Sequence, residues 1–293
     1  MENILFIYNP NSGKRVITSQ LDRIIDIFTS EGKLPTLYRL GENNNMSYEE
    51  MLRSGHFDGV VVAGGDGSVN SIIRTLINNN IDIPVGLIPT GTCNDFSRSL
   101  GMPSDIIKCA RLIAQGNTTA TDIGFINDGE AIFVNELAGG ALVTVSINTD
   151  QNFKKMFGPL AYYISGIGEL SNIKPFEIKI KTEDAEYNET AIVFLVLNGS
   201  DMSGFSNVIR EAEMQDGEMD ILIFKDKNPI EITDSLFKMI SGGEFKDDNV
   251  VRIRTKSCVI ECDASISTTV DGEVGPAFPM KLDMKKQLVK IYC

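Results

Sequence analysis

At 293 residues the chain exceeds the length at which one hydrophobic core usually stops growing, so two domains are expected. Its 42% apolar and 23% charged residues suit a folded soluble protein, and 27 basic against 40 acidic side chains leave a net charge of −13. The acidity is even, 10 basic to 17 acidic residues up to Asp150 and 17 to 23 beyond it, which excludes a basic nucleic-acid-binding module.

The first part of the chain alternates short apolar runs with helical patterns, as a parallel α/β sheet requires. Residues 4–8 read as a strand, and 19–30 as a helix with Leu21, Ile24, Ile25 and Phe28 on one face. Residues 59–63 form a buried strand running into Gly64. A helix over 69–78 follows, its apolar face made by Ile72, Ile73, Leu76 and Ile77. A third strand at 85–88 and a helix at 106–114 complete this pattern.

Beyond Gly124 the texture changes. Strands are expected at 132–136, 142–147, 176–181, 192–197, 219–224, 250–255, 259–262, 266–270 and 288–292, interrupted by helical patterns at 160–170 and 230–240. The expected architecture is therefore a Rossmann-like α/β domain at 1–123 and a β-rich domain at 124–293, an antiparallel β-sandwich, with the cleft between them the default site.

Five scattered cysteines and a single histidine, His56, fit neither a disulfide framework nor a zinc site. The apolar run 191–197 is too short to span a bilayer, and Met1-Glu2-Asn3 lacks the basic start of a signal peptide. A cytoplasmic protein is expected.

Four segments carry chemistry. Asn9-Pro10-Asn11-Ser12-Gly13-Lys14 follows the first strand, where backbone amides and a lysine can meet an anion; read alone, it is also an ordinary turn with a capping serine. Gly64-Gly65-Asp66-Gly67-Ser68 follows the second strand and opens a helix. Its glycines admit phosphate, and the carboxylate among them points to a metal-bound nucleotide; a Gly-Asp-Gly turn is the bland alternative. Pro89-Thr90-Gly91-Thr92-Cys93-Asn94-Asp95-Phe96 places hydroxyls, an amide and a carboxylate at the same sheet edge, or simply caps the next helix. Asp271-Gly272-Glu273 sets two carboxylates on one strand face, or makes a type I′ hairpin.

In this order, with Thr121-Asp122-Ile123-Gly124, Asn135 and Asp216-Gly217 between them, these segments resemble the diacylglycerol kinase catalytic family over nearly the whole chain. That family includes soluble bacterial diacylglycerol kinases and sphingosine and ceramide kinases. The resemblance implies a phosphofructokinase-like α/β domain beside a β-sandwich, and ATP-dependent phosphorylation of a lipid hydroxyl, with diacylglycerol the first expectation. By position it assigns Asn9, Ser12, Gly13, Gly65, Asp66, Gly67, Ser68 and Thr92 to nucleotide, and Asp66, Asn94, Asp95 and Asp122 to a catalytic Mg²⁺. Asp271 and Glu273 supply the general base, either one taking the proton, and Asp216 helps hold a second, structural Mg²⁺. The chain departs from the family pattern at Ser68, Ser71, Met202-Ser203-Gly204 and Arg210.

The alternatives are a soluble small-molecule kinase of the phosphofructokinase and NAD kinase type, or a nucleotide- or lipid-binding regulator without catalysis. A lipid substrate implies transient, peripheral membrane contact. Lys154-Lys155-Met156-Phe157-Gly158-Pro159-Leu160-Ala161-Tyr162-Tyr163 has the composition of an interfacial element, and an Arg252, Arg254 and Lys256 stripe is a candidate for attraction to anionic headgroups. A homodimer is left open.

Overall fold

The computed structural model of the chain describes residues 1–41, 46–140, 174–202, 204–240 and 247–293. The strand expected at 142–147, the helix at 160–170 and the aromatic segment 154–163 lie outside them. The described residues divide into two units, Met1–Thr121 with Gln287–Cys293, and Asp122–Lys286.

In the first unit β1 (Glu2–Tyr8), β2 (Lys33–Arg39), β3 (Gly59–Gly64) and β4 (Val85–Pro89) pair in parallel in the order β2-β1-β3-β4. Strands flanked on both sides are buried on both faces and read as continuous apolar runs. Ile4, Leu5, Phe6, Ile7, Val60 and Val61 are accordingly fully buried. The helices are α1 (Leu21–Ser30), α2 (Tyr48–Arg53), α3 (Asp66–Asn78), α4 (Asp95–Ser99) and α5 (Ile106–Gln115). Their buried residues recur at helical spacing, Ile24 with Phe28 and Ile72 with Leu76.

Two elements here have weak sequence signals. β2 is an edge strand containing Pro35, with Leu34 and Leu37 exposed, so it lacks both alternation and a continuous apolar run. The short α2 is set by a capping box between Ser47 and Glu50.

The second unit is antiparallel. It contains β5 (Thr118–Ile126, from Asp122 on), β6 (Ala131–Phe133), β7 (Glu136–Gly140), β8 (Phe176–Lys181), β9 (Glu186–Leu197) and β10 (Met219–Lys225). The helix α6 (Pro229–Ile240) precedes β11 (Val250–Thr255), β12 (Ser257–Cys262), β13 (Thr268–Val270), β14 (Glu273–Val274) and β15 (Met280–Tyr292). β9 pairs with β8 through residues 186–191 and with β7 through 193–197, so it changes partner along its length. That switch turns a corner between the layers of the sandwich.

The apolar run of β10 is explained by burial on both faces. Met219, Ile221 and Ile223 enter one core, while Leu222 and Phe224 enter a second with Ile232 and Met239 of α6. The long strand β15 changes its buried phase from Met280, Leu282 and Met284 to Val289 and Ile291. Gln287, at φ +52, lies where the phase shifts, as an inserted bulge residue does. From Gln287 onward the chain belongs with the first unit, where Ile291 pairs with Val85 in parallel. The terminal strand expected at 288–292 in the second domain thus falls wholly within the first unit, and it is the longer β15 that is divided.

Two glycines in the second unit lie opposite phenylalanines, Gly124 facing Phe133 and Gly139 facing Phe194. A Cβ on Gly139 would come within 2.0 Å of the fully buried Phe194 ring. Gly139→Ala is expected to cost about 1–3 kcal/mol through forced displacement of that ring. Urea unfolding measures it, and an unchanged midpoint would mean the ring moves freely.

Candidate active site

Three loops meet at the carboxyl ends of β1, β3 and β4. Asn9 donates its amide to Ala63 O at 2.9 Å, and Thr90 donates to Gly64 O at 2.9 Å, tying each loop to β3. Close approach requires glycine at three points. A Cβ on Gly13, whose φ is +47°, would lie 2.2 Å from Thr90 O; one on Gly91 would lie 2.4 Å from the Gly65 Cα. One on Gly65 would lie 3.1 Å from the Gly91 Cα, so the Gly-rich segments touch backbone to backbone.

The expected helix start moves. α3 begins at Asp66 with Gly65 as its N-cap, so Asp66, Gly67 and Ser68 form its first turn. The amides of a helix's first turn have no intrahelical acceptor, and the dipole there favours an anion. Gly67 is exposed and has open space where a Cβ would be. Gly67→Ala is therefore expected to raise stability by up to about 1 kcal/mol through helix propensity and, where this turn receives a nucleotide's phosphates, to weaken their binding by placing a methyl beside the first-turn amides. Thermal unfolding and nucleotide titration of one sample test both arms; unchanged ATP affinity would remove Gly67 from the site.

Asp66 is the loop organiser. Its carboxylate accepts the Asn94 amide at 2.8 Å and the Phe96 amide at 3.2 Å. Burial pushes its carboxyl above the usual aspartate range, against the pull of those amides and of Arg98. Asn94 sits at φ +56°, with its side chain folded onto Gly91: Oδ1 accepts the Gly91 amide at 2.9 Å and Nδ2 donates to Gly91 O at 3.1 Å. Asn94 thus shapes the loop with both ends of its carboxamide. Ser12 is buried and Thr92 is exposed. Thr90, which sequence reasoning passed over for Thr92, is buried with Oγ1 lacking a hydrogen-bond partner. Its place inside the Pro-Thr-Gly-Thr segment was the available signal.

The remaining carboxylates assigned to the catalytic metal have other partners. Asp95 is buried and bound to Arg98, which also donates to Cys93 O at 2.6 Å. Asp122, fully buried in the second unit, accepts the Gly217 amide at 2.6 Å. Among the described residues no group of three or more His, Cys, Asp and Glu side chains is arranged to hold a metal ion. Asp216 is bound to Arg254, and its Oδ1 accepts the Glu218 amide at 2.8 Å. Arg252 and Arg254, two of the three residues of the stripe considered for headgroup attraction, are both in ion pairs.

Asp271 and Gly272, at φ +49° and +85°, close the two-residue hairpin between β13 and β14, with Val270 opposite Glu273. This is the type I′ geometry. The Asp271 carboxylate does separate work: it accepts the amides of Val134 at 2.7 Å, Asn135 at 2.9 Å and Glu136 at 2.8 Å. Those bonds divide the single strand expected at 132–136 into β6 and β7. Asp271 is therefore a turn residue and Glu273 the first residue of β14, so the two do not share a strand face, and Glu273 is exposed.

Asn198 completes this polar centre, donating from Nδ2 to Asp122 O at 2.9 Å and to Val134 O at 2.8 Å. No motif marked Asn198.

Comparison with known proteins gives two family matches: the diacylglycerol kinase catalytic domain over residues 3–126, and the YegS C-terminal NAD kinase beta sandwich-like domain over 138–293. A diacylglycerol kinase of Staphylococcus epidermidis is 31% identical over 287 residues, covering 98% of this chain and 90% of that protein. One from Bacillus subtilis is 28% identical, covering 95% and 92%. A solved structure from Bacillus anthracis strain Sterne, of a protein provisionally designated a diacylglycerol kinase, superposes with a TM-score of 0.84 at 26% identity, covering 99% and 95%.

Proposed function

The chain belongs to the diacylglycerol kinase family, an ATP-dependent kinase by that membership, and from this premise we propose that its substrate is diacylglycerol and its product phosphatidic acid. The observation that carries the phosphotransfer reading is the backbone-to-backbone meeting of the Gly13, Gly65 and Gly91 loops at the N-terminus of α3. Such a cradle admits a polyphosphate, and its first-turn amides are aimed at anionic oxygens.

Mg²⁺ fits this site through Asp66. In nucleotide sites Mg²⁺ is held by one or two carboxylates together with substrate phosphates, and the burial of Asp66 favours a cation beside it. When bound, Mg²⁺ neutralises charge on the phosphate oxygens. The protein's own contribution is positional: the loop amides orient the phosphates, and Asn94 holds Gly91 against Gly65.

The acceptor hydroxyl must lose a proton. Of the two candidate carboxylates, Glu273 suits that role, because the oxygens of Asp271 are engaged by backbone amides. Asp271 is the positioning residue that holds the hairpin carrying Glu273. A lipid acceptor also calls for peripheral contact with a membrane; among the described residues no helix is long and apolar enough to cross one.

The test is incubation with Mg-ATP and mixed micelles carrying dioleoylglycerol, monoacylglycerol, sphingosine or phosphatidylglycerol, with fructose 6-phosphate and NAD⁺ as soluble acceptors. Mass spectrometry identifies the product. Phosphatidic acid is the expected dominant product. Preferential phosphorylation of another lipid would overturn the substrate assignment, and turnover of the soluble acceptors alone would overturn the lipid kinase reading.

A further inference from the structure

The acidic turn around Asp216, which the family resemblance assigns to a structural Mg²⁺, is occupied by arginine side chains. Glu211, Glu213, Asp216, Glu218 and Asp220 crowd ten residues of chain, and like charges at this density favour a compensating cation. The turn itself is tied by two backbone amides. Gly217 is at φ +82°, its amide is held by Asp122 Oδ2 at 2.6 Å, and the Glu218 amide is held by Asp216 Oδ1 at 2.8 Å.

The compensating charge comes from β11. In the antiparallel β10–β11 pair, Asp220 lies opposite Arg254 and Leu222 opposite Arg252, so the two arginines project on the acidic face. Arg254 Nη2 binds Asp216, and its Nε lies 3.0 Å from Glu218. Arg252 Nε lies 2.9 Å from the buried Asp220, and its Nη1 lies 3.0 Å from Glu211. Glu211, Asp216, Glu218 and Asp220 therefore each have a guanidinium partner. A guanidinium fork satisfies two carboxylates at once and cannot be titrated away, which suits it to a permanent counter-ion.

We infer that Arg254 occupies the position a structural cation would take at the Asp216 turn, so that the second unit is stabilised without a divalent metal there. Asp216 is then an ion-pair partner, and the turn holds a latent cation site that Arg254 keeps closed. The disposition of side chains supports this directly: an additional cation at Asp216 would meet the positive charge of Arg254 at hydrogen-bond range.

The experiment is thermal unfolding of the full chain, without nucleotide, in EDTA and in excess MgCl₂ or CaCl₂, together with terbium luminescence titration. Wild type is expected to give the same Tm in EDTA and in either salt. Arg254→Met should lower Tm in EDTA, recover part of the loss in MgCl₂ or CaCl₂, and bind terbium more tightly than wild type. Adding Asp216→Asn to Arg254→Met should remove the recovery. If Arg254→Met does not fold, Arg254→Lys, which keeps one charge without the fork, should show the same cation response at smaller amplitude. A wild-type Tm that rises with the cation, and loses that rise in Asp216→Asn, would overturn the inference. So would a folded Arg254→Met protein indifferent to cations, or an Arg254→Lys protein without any response.

Discussion

Asp66→Ala is expected to lower kcat/KM for phosphotransfer by about three orders of magnitude, the scale associated with removing a preorganised electrostatic group. Two losses combine. The carboxylate that would bridge a metal to the phosphates disappears, and the Asn94 and Phe96 amides lose their shared acceptor. Asp66→Asn separates the two. Its single carbonyl oxygen can hold one amide, so more of the loop survives, yet the charge is gone. Both variants are expected to be nearly inactive, with Asp66→Asn closer to wild type in Tm. The measurement is steady-state turnover over a range of ATP and MgCl₂ concentrations beside circular dichroism melting. Near-wild-type turnover in both would mean that Asp66 serves only as a helix-start residue.

The second large effect divides the carboxylates of the late hairpin. Glu273→Gln removes a proton acceptor from an exposed position, so kcat should fall by about two to three orders of magnitude, with a smaller change in Tm than Asp271→Asn gives. Asp271→Asn acts differently. Its side chain faces the amides of Val134, Asn135 and Glu136, and the substituted NH₂ would set a donor against donors. A stability loss of about 1–3 kcal/mol is expected from amides left without a partner, with activity falling as the hairpin loosens. Denaturant melts and single-turnover kinetics on both variants give the answer. A stable Asp271→Asn protein without turnover, beside a fully active Glu273→Gln protein, would reverse the two roles.

Much of the fold is legible in the sequence because it rests on local periodicity. The runs at β1, β3 and β4 are apolar throughout because both faces are covered, and α1, α3 and α5 show their buried faces at helical spacing. β2 escaped because an edge strand needs little apolar surface. β15 was visible only in its last part, because Lys285, Lys286 and Gln287 are exposed where its buried phase shifts.

The site divides along similar lines. The glycines of 64–68 announce close backbone approach from sequence alone, while the meeting of Gly13 and Gly91 with that segment was decided by the fold. Which carboxylate acts on what was decided by distant partners. Asp271 is held by an amide 137 residues away, and Asp216 is claimed by an arginine 38 residues away. A motif records that a carboxylate is present at a turn. Whether its lone pairs are open to a proton or a metal, or already taken by amides and guanidinium groups, depends on strands brought alongside by folding, and no local pattern encodes that pairing.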